Sequence, residues 1–147
     1  MFTRIVVGTD GSETAGEAVR QAISLAKLSG AKLSVVSAYS PGASRPGDKE
    51  KSAAPSDVQY EIGPREDVNM VLDVAVSDAR KEGVEAQTHA VDADPADAIL
   101  NVAEETRADL IVVGNKGMTG ARRYLLGSVP NNISHHAPCS VMVVRTT

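Results

Sequence analysis

Aromatic residues are nearly absent, at 3% of 147 residues, with one Phe, three Tyr and no Trp. Single-stranded nucleic acid is held largely by bases stacked on aromatic rings, and this chain has no such platform. Lys and Arg number 15 against 19 Asp and Glu, a net charge of −4, and no dense basic stripe occurs. That balance also argues against a binder of phosphate backbones. The single cysteine, Cys139, cannot close an internal disulfide and fits a reducing compartment. The apolar runs are too short to cross a bilayer, and no charged-then-apolar leader precedes the first strand. The expectation is a cytoplasmic chain with neither a membrane nor a nucleic acid as partner. A Walker loop is missing too: no Gly-x4-Gly is followed by Lys-Ser/Thr, and no arginine finger stands out.

What is present centres on residues 109–128. Leu110-Ile111-Val112-Val113 is a solid apolar run with the length and β-branched content of a buried parallel strand. It stops at Gly114, and Gly117, Gly127 and Ser128 complete the spacing Gly-x2-Gly-x9-Gly-Ser, after which a helical pattern begins. Glycines let a backbone approach an anion closely, and the unpaired N–H groups of a helix N-terminus add donors and positive dipole. Strand, glycines and helix start in this order are how α/β proteins hold phosphates. The alternative is that the glycines only make turns.

The rest of the chain alternates strands with helices. Arg4-Ile5-Val6-Val7-Gly8 is an apolar strand ended by Thr9-Asp10-Gly11-Ser12, and Ser12 is a natural N-cap with Glu13 in the first turn. Ala15, Ala18, Val19, Ala22, Ile23, Leu25 and Ala26 recur at helical steps up to Gly30. A strand is expected at residues 32–38. Residues 40–63, with three prolines and Asp48-Lys49-Glu50-Lys51, read as a long loop, either a lid or a tether. Pro64 opens a helix on Val68, Val71, Leu72, Ala75 and Ala79, stopped by Gly83. Residues 85–91 alternate in the manner of an edge strand, which makes His89 a solvent-facing side chain. Asp94-Pro95 supplies an N-cap and a first-turn proline to a helix whose inner stripe is Ile99, Leu100, Val102 and Ala103. A helix at residues 128–136 and the strand Val141-Met142-Val143-Val144 complete the chain.

Five strands and four main helices in alternation imply one α/β domain over residues 1–147, a doubly wound parallel sheet. A ligand belongs outside the C-terminal strand ends at the switch point, where Thr9-Asp10, Ala38 and Gly114 converge. Asp10 there suits contact with a nucleotide or Mg²⁺, or simply a turn. His135-His136 point to different helix faces and suggest no metal site.

Ile5-Val6-Val7-Gly8-Thr9-Asp10-Gly11-Ser12-Glu13, the segment Ala108-Asp109-Leu110-Ile111-Val112-Val113-Gly114 with its glycine spacing, and the terminal strand after Pro138 together resemble the universal stress protein family over essentially the whole chain. The resemblance implies the adenine nucleotide α hydrolase-like sheet of order 3-2-1-4-5, ATP binding, and a role as stress-response sensor or regulator with at most slow ATP hydrolysis. It also implies homodimers paired through the last strand, here Val141, Met142, Val143 and Val144. By position, it assigns Asp10 to the nucleotide and its Mg²⁺, and Thr9 and Ala38 to ribose and adenine. Val113 and Gly114 fall beside the ribose, while Gly117, Gly127, Ser128 and Val129 form the phosphate cradle. Arg122 and Arg123 are further phosphate contacts or a solvated helix face. Pro130 departs from many members and removes one N–H donor.

Three other readings compete. Leu125-Leu126-Gly127-Ser128-Val129-Pro130 and Gly114-Asn115 look similar to the branch that binds cyclic AMP, whose single phosphate needs fewer donors. Thr9-Asp10-Gly11-Ser12 faintly resembles the Ser-Gly-Gly-x-Asp-Ser loop of adenylating ATP-pyrophosphatases but lacks the paired glycines. A dimeric interaction module without nucleotide is the last.

Overall fold

A computed structural model describes residues 1–39, 64–115 and 128–146. Its strands are β1 (Arg4–Gly8), β2 (Lys32–Tyr39), β3 (Ala86–Asp92), β4 (Leu110–Gly114) and β5 (Ser140–Val144). They form one parallel sheet of order β3-β2-β1-β4-β5. The helices are α1 (Glu13–Ser29), α2 (Pro64–Lys81), α3 (Pro95–Thr106) and α4 (Ser128–His136). The fold is the one expected from the alternating pattern, with the expected strand order.

Both faces of the sheet are covered, which is why β1 and β4 carry the unbroken apolar runs Ile5-Val6-Val7 and Leu110-Ile111-Val112-Val113. Ile5, Val7, Leu33, Val35, Leu110 and Val112 point to one side, where they meet Ala18, Val19, Ala22 and Ile23 of α1 and Leu72, Ala75 and Ala79 of α2. Val6, Val36, Ile111 and Val113 point to the other, against Ile99, Val102 and Ala103 of α3 and Ile133 of α4. Register follows from this alternation: Val6 lies opposite Ser34 on one side and Ile111 on the other. At the N-terminal ends of β1 and β4, Asp109 accepts from Thr3 N at 2.8 Å, Arg4 N at 3.1 Å and Thr3 Oγ1 at 2.9 Å. Burial pushes this carboxyl up, and these hydrogen bonds outweigh it, so its pKa lies below the ordinary value.

Several local expectations shift. β2 runs one residue further, to Tyr39, and β3 is displaced by one residue to Ala86–Asp92. Asp94 occupies the N-cap of α3, yet its side chain makes no capping hydrogen bond; only its carbonyl accepts, from Ala98 N at 2.8 Å. Pro95 at the first turn, with φ already set, starts the helix instead. α3 then ends without glycine: Arg107 takes the left-handed conformation at φ 54°, where its N–H reaches the carbonyls of Ala103 and Glu104. A side chain costs about 1 kcal/mol there. Arg107→Gly is therefore expected to raise stability by up to about 1 kcal/mol in denaturant unfolding, although glycine elsewhere in a helix lowers it.

His89 is the clearest correction. It is half-buried rather than solvent-facing, and its Nε2 lies out of water without a hydrogen-bond partner among the described residues. It pairs in register with Val36, on the face covered by α3. Burial lowers its pKa below 6.5, and the Glu105 carboxylate on α3 offsets part of that shift. The folded state thus favours the neutral ring, and below the unfolded pKa the unfolded chain binds more protons than the folded one. Stability is expected to be level above that value and to fall as pH drops through the folded pKa. Thermal melts of wild type and His89→Gln between about pH 8 and pH 5 test this, with a flatter profile expected for the variant.

Candidate functional site: a cavity at the strand ends

The chain runs from β1 outward to β3 and then returns to place β4 and β5 on the other side of β1. The crossovers therefore part beside the C-terminal ends of β1 and β4, which leaves a crevice that neither helical layer fills. A cavity of about 250 Å³ lies there. Its sheet side is built from Gly8 at the end of β1 with Thr9 and Asp10 after it, Val36, Ser37 and Ala38 of β2, and Val113 and Gly114 of β4. Pro95 and Ile99 of α3, Val129 and Pro130 of α4, and Ala15 of α1 close the sides.

The turn after β1 is tightly determined. Thr9 N donates to Val36 O at 2.9 Å, which carries the β1–β2 pairing one residue past the strand. Gly11 has φ 83°, and a Cβ on it would sit 2.6 Å from Val71 Cγ2 of α2, so both backbone and space demand glycine. Thr9 Oγ1 accepts from Gly11 N at 3.1 Å, and Asp10 Oδ1 accepts from Ser12 N at 2.8 Å. Ser12 is extended at φ −70°, and its Oγ accepts from Ala15 N at 3.1 Å, the N-cap of α1 expected from its position. Asp10 therefore makes the turn and also borders the cavity. Among the described residues lining it, Asp10 carries the one ionisable side chain.

At the opposite side stands the N-terminus of α4. The first N–H groups of any helix lack an intrahelical acceptor. Ser128 and Val129 bring such groups, and buried Pro130 brings none. Ile133 and Pro130 are the buried residues of this short helix and hold it to the sheet.

Thr9, Asp10, Ala38, Val113, Gly114 and Val129 thus come together around one cavity. Ser128 starts α4 but is not among the lining residues. Gly117, Gly127, Arg122 and Arg123 lie outside the described residues. Gly8, Ala15, Pro95 and Ile99 were not anticipated. Ile99 carried a signal, since it heads the inner stripe of α3 one turn after Pro95, but which strand end that stripe covers depends on the crossover. Among the described residues no group of three or more His, Cys, Asp or Glu could hold a metal. Cys139 is a half-buried free thiol, and burial, followed by the Asp109 charge, raises its pKa. It remains the protonated, small packing residue that its place beside Pro138 suggests. No helix among the described residues is long and apolar enough to cross a membrane.

Comparison with known proteins places these features. The model of the universal stress protein family matches residues 1–145. Universal stress protein Rv1636 of Mycobacterium tuberculosis is 35% identical over 147 residues, covering 99% of this chain and 98% of its own. A universal stress protein solved in complex with cAMP is 33% identical with a TM-score of 0.73, covering 99% of this chain and 98% of that one. The universal stress protein of Archaeoglobus fulgidus in complex with dAMP is 27% identical with a TM-score of 0.69, covering 97% of each chain. The likeness runs from end to end, through the β1 turn and the β4 strand end that frame the cavity, and the chain belongs to the universal stress protein family.

Proposed function

We propose that this chain binds an adenine nucleotide in the cavity, with cyclic AMP as the favoured ligand, and that it acts as a sensor or regulator. The observation that carries this reading is the cavity itself. It is a mostly apolar slot at the switch point of a parallel sheet, with a helix N-terminus at one side. Its volume of about 250 Å³ lies just below the usual range of ligand pockets, roughly 300–1,000 Å³, and suits a ligand no larger than a single nucleotide. Val36, Ala38, Ile99 and Val113 offer surfaces for a flat base and a sugar. Ser128 and Val129 offer backbone donors to a phosphate, supplemented by Gly117 and Gly127 as expected from the glycine spacing. The N–H missing at Pro130 matters least for a ligand with one phosphate. The relatives in complex with cAMP and dAMP support the same class of ligand.

ATP is the second reading, favoured by the intact Gly-x2-Gly-x9-Gly-Ser spacing. Mg²⁺ is usually held by one or two carboxylates together with substrate phosphates, and Asp10 fits as such a single carboxylate. Arg122 and Arg123 are then additional phosphate partners. With Asp10 as the lone ionisable group among the described lining residues, the site suits binding better than fast hydrolysis.

We also propose a homodimer through β5. This is an edge strand, and it exposes Met142 at 37% and Val143 at 36%. An apolar edge of this kind is usually paired or protected. Sedimentation of wild type is expected to give a dimer, and the Met142→Lys/Val143→Lys variant a folded monomer. A dimeric variant rejects β5 as the interface.

Thermal melts of nucleotide-free protein test the ligand. At about a hundredfold excess over Kd, cyclic AMP should raise Tm by roughly 5–10 °C, with no shift from cyclic CMP. Equal shifts from both nucleotides, or none from any adenine nucleotide, contradict the proposal.

A further inference from the structure

The rim of the cavity on β4 is tied to the end of the chain. Asn115, the residue after Gly114, donates its N–H to Val144 O of β5 at 2.8 Å. Its side-chain Oδ1 accepts twice from Thr146, two residues past that strand, from N at 2.9 Å and from Oγ1 at 3.0 Å. The two side-chain bonds span 31 positions of sequence and are partly buried. Asn115 does not line the cavity, and Thr146 follows the C-terminal end of β5. Between them they fasten the point where the chain leaves β4.

We infer that Asn115 is a positioning residue for the nucleotide site, which it controls through Thr146 and the C-terminal strand. The inference rests on the nucleotide reading given above. Gly114 has no side chain to restrict its torsions, so the direction of the chain at the rim depends on what holds its neighbours. Val143 and Val144 pair with Val113 and Gly114 and fix one side. The three hydrogen bonds at Asn115 fix the next residue. With them intact, the backbone at the rim is ordered before the ligand arrives. Without them, that ordering falls on the binding step and lowers affinity. A consequence is that any event on the edge strand β5, including pairing with a second copy, is felt at the nucleotide through the same residue.

Calorimetric titration of full-length wild type, Asn115→Ala, Thr146→Val and Thr146→Ser with cyclic AMP and with ATP–Mg²⁺ tests this, with a thermal melt of each protein alongside. Asn115→Ala should bind about 5- to 30-fold more weakly, from the loss of two hydrogen bonds, and Thr146→Val, which keeps its N–H, about 3- to 10-fold more weakly. Thr146→Ser restores the hydroxyl and should bind as wild type does. Neither residue is among those lining the cavity, and a merely structural role would appear in the melt and not in affinity measured well below it. Wild-type affinity in both Asn115→Ala and Thr146→Val overturns the inference while leaving the nucleotide reading intact. No binding by wild type of either nucleotide overturns both.

Discussion

Gly8→Val is expected to abolish nucleotide binding, by more than about a hundredfold, in a protein that still folds. Gly8 ends β1 at the cavity, with its missing side chain directed at Ile99. A Cβ built there falls against Ile99 Cδ1 and lies 3.0 Å from Ile99 Cγ1. Ile99 is packed on its other sides, at 5% exposure, and the open space beside it is the cavity. The added valine and the displaced isoleucine therefore both move into the volume that the ligand needs. Overpacking of this kind costs roughly 1–3 kcal/mol, less than the stability of an ordinary domain. Gly8→Ala should give a smaller loss, because one methyl displaces only the far end of a flexible side chain. Titration together with circular dichroism checks both halves. Full binding by Gly8→Val would place the ligand elsewhere.

The largest expected loss of stability is at Ile133. This residue is fully buried and is, with Pro130, one of the two buried residues of α4. Truncation to alanine removes transfer free energy and leaves a void, roughly 2–5 kcal/mol together. The nine-residue helix is too short to hold its shape alone, so its packing decides whether it forms. Ile133→Ala should thus loosen the element that carries Ser128 and Val129, and weaken nucleotide binding together with stability. Ile5→Ala makes the comparison, since Ile5 is equally buried in β1 but packs on the opposite face of the sheet from α4. Denaturant unfolding and titration of both variants separate the effects. Equal binding losses at equal destabilisation would show that α4 has no special part in the site.

The strands were legible because burial on both faces writes itself as unbroken β-branched apolar runs such as Leu110-Ile111-Val112-Val113, whereas their order came with the family resemblance. The glycine stops and the Ser12 cap were legible because each serves a local backbone need. β3 was displaced by one residue because its alternation is weak and Asp92 pairs with Tyr39 beyond the last apolar position. Arg107 in the left-handed region and Asp94 without its side-chain cap follow from tertiary packing, which places the end and start of α3 irrespective of local preference. His89 was misjudged for the same reason: α3 covers a residue that alternation alone turns to solvent. Thr9, Asp10, Ala38 and Gly114 were legible as cavity residues because switch-point geometry collects strand ends, and Val113 and Val129 came with the family resemblance. Gly8, Pro95 and Ile99 were not, since each reaches the cavity only through the crossover that lays α3 over β1.

Titration calorimetry of nucleotide-stripped wild type and Gly8→Val, with cyclic AMP and ATP–Mg²⁺ in separate runs, tests the central claim most directly. Saturable binding of cyclic AMP by wild type, tighter than ATP–Mg²⁺ and lost in Gly8→Val, is the expected result. Absence of binding by wild type, or binding that survives Gly8→Val unchanged, would contradict a nucleotide site in the cavity between β1, β2 and β4.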